Sequence, residues 1–110
     1  MIVLVVNLRT GDPWDVYCGR AGRGHDGYYG NPFKLTVDTR ENRVEALQQF
    51  QAYFHSRLAR DEEFKRRVEE LPKYATGGVL KLACFCVPRL CHASIIAEYL
   101  EGFLERNGGT

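Results

Sequence analysis

Cysteine and histidine side chains, which bind metals and carry out nucleophilic or acid–base chemistry, are concentrated in one short segment of this chain. Cys84, Cys86, Cys91 and His92 supply three of the four cysteines and one of the three histidines within nine residues. Four such ligands are the set that zinc prefers. The spacing is unusual, because neighbouring side chains at a helix start diverge by about 100° and Cys91 and His92 are adjacent. Zinc on these four residues is therefore one hypothesis for this segment.

The same segment also fits a reactive thiolate or an anion site. Cys91 lies where the last predicted helix begins, and the positive end of a helix lowers the pKa of a thiol. Arg89 and His92 would add to this effect. A helix start of this kind also binds phosphate, with His92 as a hydrogen-bond donor or proton carrier. On this hypothesis Cys91 and His92 are the candidate catalytic pair.

A third interpretation is that the cysteines are structural. Free cysteine packs as a small buried hydrophobe, and Cys84 and Cys86 lie in an apolar run that predicts a strand. A disulfide between them is disfavoured, because both would point to one face of that strand. No signal peptide is apparent, so we expect reduced thiols and a cytoplasmic protein. A redox-sensing thiol remains a further alternative.

A glycine-rich and arginine-rich segment supplies the second candidate site. Gly19, Arg20 and Arg23 belong to a run in which backbone N–H groups and guanidinium groups could surround a phosphate. Gly30 and Asn31 begin a Gly-Asn-Pro-Phe turn, where Asn31 could orient a ligand or bond its own backbone. The pattern matches neither a Walker A motif nor a dinucleotide fingerprint. These five residues are the candidate ligand-binding set.

Length, composition and charge limit the function classes. The chain has 110 residues, of which 45% are hydrophobic, and this predicts a single globular domain over residues 1–110. A net charge of +1 gives no support to bulk electrostatic binding of nucleic acid. The apolar start is too short for a membrane span, so we expect no membrane partner.

The pattern of apolar residues predicts the order β, short β, α, α, β, α. The predicted strands cover residues 2–8, 16–18 and 79–87, and the predicted helices begin near Asn42, near Asp61 and at Ser94. The first strand is nearly all aliphatic, which is typical of a strand covered on both faces. Together the elements predict an α/β fold with a small, mostly parallel (Rossmann-like) sheet and helices packed on it.

Parallel sheets bind ligands beyond the carboxyl ends of their strands. In the predicted order, the Gly-Arg segment and the Cys-His segment each follow a strand and therefore share that edge. Tyr28, Tyr29 and Trp14 could stack on a base there, although such aromatics more often cover a small core.

Three blocks in this order resemble an uncharacterised bacterial and phage family with a domain of unknown function. The blocks are Val16-Tyr17-Cys18-Gly19-Arg20, Gly30-Asn31-Pro32-Phe33 and Cys84-x-Cys86-x-Pro88-x-x-Cys91-His92. The resemblance spans roughly residues 16 to 104. It implies no activity, because the family has no established one. A second uncharacterised family with a similar Cys-His turn lacks one strand cysteine, which favours a ligand or catalytic site over zinc.

The sequence therefore predicts a small α/β domain that binds a phosphate-bearing, nucleotide-like ligand. Arg20 and Arg23 hold the anion in this hypothesis, while Cys91 and His92 face the ligand from the last helix. If the domain is an enzyme, we expect transfer or hydrolysis at a nucleoside or its phosphate. The rival hypothesis is a zinc-stabilised module that binds a protein or nucleic acid.

Overall fold

The fold is built on a three-stranded parallel sheet. A computed structural model describes residues 2–11, 13–18, 28–30, 39–84 and 92–106. In these ranges the strands are β1 (Ile2–Asn7), β2 (Val16–Tyr17) and β3 (Val79–Cys84). Their order is β1-β3-β2, and both pairs run parallel, so β3 is central and all three strands end at the same edge.

Three α-helices accompany the sheet in the described part of the chain. They are α1 (Arg40–Arg60), α2 (Glu62–Glu69) and α3 (Ala93–Arg106), with short 3-10 helices at Leu8–Thr10 and Leu71–Tyr74. The observed order of strands and α-helices is the predicted one. The α/β prediction, with a small parallel sheet and helices packed on it, is confirmed.

Local capping sets where the helices begin. The Asp61 side chain accepts the Phe64 N–H at 3.0 Å and starts α2, as predicted. The prediction for α1 was wrong by three residues. Thr39 is the N-cap, and its hydroxyl accepts the N–H of Asn42 at 3.2 Å. Asn42 therefore lies inside the first turn as the group that is capped.

The core lies between the helices and one face of the sheet. Phe50 and Phe54 of α1, Phe64 of α2 and Leu100 of α3 are buried against the sheet residues of the same cluster, which are Val3, Val16, Leu80 and Leu82. The register places Val3 beside Leu80 and Val16 beside Leu82, so these four share a face. That face and the helices enclose one hydrophobic core.

The opposite face of β1 is open in the described structure. Ile2 is 57% exposed and Leu4 is 46% exposed, and their register partners are Val79 and Lys81. The expectation that β1 is covered on both faces was therefore wrong for these two residues. The aliphatic run misled because apolar side chains are common on protein surfaces, so a run of them does not require two covered faces.

None of the helices in the described ranges combines the length and the apolar character that crossing a bilayer requires.

Candidate functional site

Two cysteines lie side by side where β2 and β3 end. Tyr17 is in register with Ala83, and the next residue along each strand is a cysteine, Cys18 and Cys84. The Cys18 N–H donates to the Ala83 carbonyl at 2.8 Å, which continues the pairing past the end of β2. Both cysteines are almost completely buried. Two buried thiols therefore lie side by side at the carboxyl edge of the sheet.

His92 joins this edge from the start of α3. Its carbonyl accepts the Ile95 N–H at 3.0 Å, so the residue stands directly before the first turn of the helix. Its ring is buried, and Nε2 is hydrogen-bonded to the carbonyl oxygen of Cys18. The ring also meets the edge of Phe50, with centroids 5.1 Å apart. His92 thus ties α3 to the end of β2 and to α1.

The contact with Cys18 determines which nitrogen of His92 carries a proton. A carbonyl oxygen can only accept, so Nε2 must donate. In the neutral ring the lone pair then lies on Nδ1. A histidine held by an N–H to carbonyl bond is the arrangement that orients metal-binding and proton-transferring histidines. His92 can therefore accept a proton or bind a cation only through Nδ1.

Electrostatics make Cys18 a poor nucleophile. Burial, and after it the neighbouring Cys84, raise the pKa of the Cys18 thiol far above its ordinary value. The thiolate, which is the reactive form, is then essentially absent at neutral pH. This supports a structural role for Cys18 at the carboxyl edge.

The structure describes three of the nine residues predicted for the site. Cys84 ends β3, His92 precedes α3, and Gly30 lies in a partly exposed bend. Cys84 and His92 both reach the neighbourhood of Cys18. The other six predictions fall outside the described residues: Gly19, Arg20, Arg23, Asn31, Cys86 and Cys91.

The zinc hypothesis remains a prediction. In the described ranges, no three histidine, cysteine, aspartate or glutamate side chains come together as a metal-binding group. Two of the four predicted ligands, Cys86 and Cys91, lie outside those ranges. Of the two described ligands, His92 could contribute only Nδ1, because Nε2 is bound to the Cys18 carbonyl.

Sequence reasoning missed Cys18 as a member of this edge. It is separated by 66 residues from Cys84 and by 74 residues from His92. Only the pairing register of β2 and β3 brings them together. The available signal was its position at the end of a predicted short strand, two residues after the buried Val16.

We expect Cys18 and Cys84 to be unreactive in the folded protein. A Cys86→Ser/Cys91→Ser double variant contains only these two thiols. Burial should slow their reaction with a disulfide reagent more than about a hundredfold relative to the unfolded chain, because labelling requires opening of the core. Absorbance of the released thiol, followed with and without denaturant, measures this. Prompt reaction of either thiol without denaturant would contradict the buried arrangement.

Comparison with known proteins identifies a family and nothing closer. No curated protein and no solved structure matches the chain. One family model, described as "Domain of unknown function (DUF4326)", matches residues 6–102. The match begins within β1 and ends within α3, so it includes β2, α1, α2 and β3 completely and β1 and α3 in part. The chain therefore belongs to the DUF4326 family of domains of unknown function.

Proposed function

We propose that this domain binds a phosphate-bearing, nucleotide-like ligand at the carboxyl edge of its sheet. One observation carries the proposal, namely that three elements meet at one place. The strands β2 and β3 end beside each other, and the start of α3 contacts the end of β2 through the hydrogen bond between His92 and Cys18. The sequence that continues from Cys18 begins with Gly19-Arg20, and the sequence that continues from Cys84 leads to Cys91. The Gly-Arg segment and the Cys-His segment therefore follow directly from neighbouring strand ends.

The electrostatics of this edge favour an anion. The N-terminus of α3 carries partial positive charge and N–H groups without helical partners. Open parallel sheets bind ligands in this position. Arg20 and Arg23 supply the guanidinium groups that pair with phosphate oxygens in this proposal, and Asn31 orients the ligand.

The proposal gives the remaining residues separate roles. Cys18 and Cys84 are buried, and in the proposal they lie beneath the ligand. His92 presents Nδ1 as its proton-accepting atom, while Nε2 remains on the Cys18 carbonyl. In the proposal Cys91 and His92 face the ligand, and any transfer or hydrolysis at the nucleoside or its phosphate uses one of them. Reduced thiols fit the cytoplasm of a bacterium or of a phage-infected cell.

Ligand binding by arginine variants tests the proposal. Wild type, Arg20→Ala, Arg23→Ala and Cys91→Ser are titrated with nucleosides and with their mono- and diphosphates by calorimetry and thermal shift. We expect each arginine variant to bind the phosphorylated ligands about tenfold more weakly, because each loses charge-assisted hydrogen bonds. Arg60→Ala is the matched control, since Arg60 is exposed at the end of α1.

The proposal fails if Arg20→Ala and Cys91→Ser leave the ligand-induced stabilisation unchanged across the panel. Elemental analysis of protein purified without chelator gives the competing outcome. Stoichiometric zinc, lost together with the fold on chelation, would replace this proposal by the zinc-stabilised module.

A further inference from the structure

A pocket of about 270 Å³ lies alongside β2, and four of its lining residues are tyrosines: Tyr17, Tyr28, Tyr29 and Tyr74. Its volume is close to the lower bound of about 300 Å³ for small-molecule sites. The chain has only six tyrosines, so most of them meet here. Phenol rings offer flat apolar faces together with a hydroxyl that donates and accepts hydrogen bonds.

Two of the four tyrosines, Tyr28 and Tyr29, pack against neighbouring rings. Tyr28 and Tyr29 meet edge to face, with centroids 5.0 Å apart, and both lie against Phe64 of the core. Burial, and after it the neighbouring Tyr28, raise the pKa of Tyr29 to about 12. Its hydroxyl therefore keeps its proton even well above neutral pH. The pocket wall is preorganised by the core behind it.

Charge distinguishes between two classes of ligand that aromatic pockets bind. Rings of this kind can hold a quaternary ammonium or a flat ring. Here the guanidinium of Arg67, which also lines the pocket, lies 4.6 Å from the centroid of Tyr28. Arg57 lies 5.0 Å from the same ring. Because the guanidinium groups of Arg57 and Arg67 both lie over the Tyr28 ring, they would repel a cationic ligand. They would not repel an uncharged flat ring.

The acidic residue of the pocket is engaged within the protein. One carboxylate oxygen of Asp15 accepts the Lys81 N–H at 2.8 Å, and the other accepts the Thr76 hydroxyl at 3.3 Å. These bonds anchor the start of β2 to β3. Asp15 is thus a positioned acceptor at the pocket rim, and not a mobile counter-ion for a cationic ligand.

The pocket adjoins the carboxyl edge where the phosphate is proposed to bind. Tyr17 is the last residue of β2 and directly precedes Cys18. A ligand with an anionic end at the strand edge can therefore extend its other end along β2 into the pocket.

We propose that the tyrosine pocket binds the uncharged heteroaromatic ring of the ligand, such as a nucleobase, against the phenol rings that line it, with Arg67 donating to acceptors on the ring. This deepens the proposed function and rests on it for the anionic end of the ligand. The ligand is a free nucleotide or nucleoside and not a nucleic-acid chain, because the net charge of +1 gives little attraction for a polyanion.

Nucleosides without phosphate test the pocket separately from the anion site. Wild type, Tyr74→Ala and Arg67→Ala are titrated with adenosine, guanosine, cytidine and uridine, and with their 5′-monophosphates. Tyr74 is 51% exposed, so its truncation should leave the fold intact. Arg66→Ala is the matched control, since Arg66 also pairs with Glu63 but lies outside the pocket lining. We expect at least one nucleoside to bind about tenfold more weakly to both pocket variants than to wild type, as for loss of a stacking partner. The same nucleoside should bind Arg66→Ala and wild type with equal affinity.

Each other outcome identifies which proposal fails. If phosphorylated ligands bind in an Arg20-dependent way but Tyr74→Ala and Arg67→Ala match wild type, the ring lies elsewhere and only the pocket proposal falls. If nucleosides depend on the pocket while Arg20→Ala has no effect on monophosphates, the pocket proposal stands and the anion site falls. Binding of choline without any nucleoside, or an oligonucleotide bound far more tightly than every mononucleotide, also overturns the inference.

Discussion

Replacing Phe54 by alanine is expected to destabilise the domain by about 3–5 kcal/mol, the usual range for removing a buried phenylalanine. Phe54 is fully buried in the middle of α1. Its ring stacks on Phe50 and meets Phe64 and Tyr99 edge to face, with centroids 5.7 Å apart in each case. One side chain therefore joins all three helices, and its loss leaves a cavity that no single helix can close.

The size of this effect is a large part of the stability of a small domain, which is about 5–15 kcal/mol. Each kcal/mol corresponds to a shift of about 4–8 °C in Tm for a domain of roughly this size. We therefore expect Phe54→Ala to lower Tm by more than about 12 °C, measured by thermal and urea unfolding. Gln51→Ala is the control, because Gln51 is exposed on the same helix and surface changes alter stability by only about 0.5 kcal/mol.

A Phe54→Ala variant as stable as Gln51→Ala would show that the three helices do not meet around this ring. Phe54→Leu provides an intermediate case, since it keeps an apolar side chain in part of the volume. We expect the stability of Phe54→Leu to lie between that of wild type and that of Phe54→Ala.

Local signals in the sequence predicted the elements well where the governing interactions are local. Asp61 followed by two glutamates predicted the start of α2, because a carboxylate cap and negative charge both stabilise the first turn. Phe64, Val68 and Leu71 recur at the helical period, which predicts one buried stripe, and all three are buried. These features depend only on residues within a few positions of one another.

The start of α1 shows the limit of such local signals. Thr39 and Asn42 are both good capping residues, and the pattern of Asn42 followed by Glu45 looks like a cap. The choice between them depends on how the chain enters the helix. The structure resolves it with the bond from the Asn42 N–H to the Thr39 hydroxyl. A sequence with two capping residues three positions apart does not by itself show which of them caps the helix.

The arrangement of residues at the carboxyl edge depends on how the strands pair, and no local sequence pattern encodes this pairing. The sequence predicted that the segments after the strands share an edge, because parallel strands all end on one side. It did not predict that Cys18 lies beside Cys84, since a strand of two residues carries almost no register information. Nor did it predict the contact of His92 with the Cys18 carbonyl, since the two residues are 74 positions apart. The arrangement of the candidate site therefore depends on tertiary packing more than the positions of the helices and strands do.

Replacing His92 by alanine is expected to destabilise the domain by about 2–4 kcal/mol. The Cys18 carbonyl is buried and would lose the donor on Nε2, which costs about 1–3 kcal/mol. The missing ring also leaves a void beside Phe50. Urea unfolding of His92→Ala against wild type measures the sum of these two effects.

Glutamine and asparagine at position 92 separate the hydrogen bond from the packing. The amide nitrogen of glutamine reaches about as far from the backbone as Nε2, whereas that of asparagine reaches only as far as Nδ1. Because the bond to Cys18 uses Nε2, we expect His92→Gln to recover at least about 1 kcal/mol relative to His92→Ala, and His92→Asn to recover less. Equal recovery by the two amides would contradict the assignment of Nε2 as the donor.

The same His92→Gln variant separates a structural histidine from a functional one. It keeps a donor for the Cys18 carbonyl but has no imidazole lone pair in place of Nδ1. If His92 serves the ligand through Nδ1, whose lone pair can only accept, its partner is a hydroxyl or N–H group of the nucleoside. His92→Gln should then remain folded yet bind nucleosides and their phosphates at least about fivefold more weakly, as expected for one lost hydrogen bond. A stable His92→Gln protein with wild-type affinity would restrict His92 to joining α3 and β2, and would leave Cys91 as the candidate at this edge.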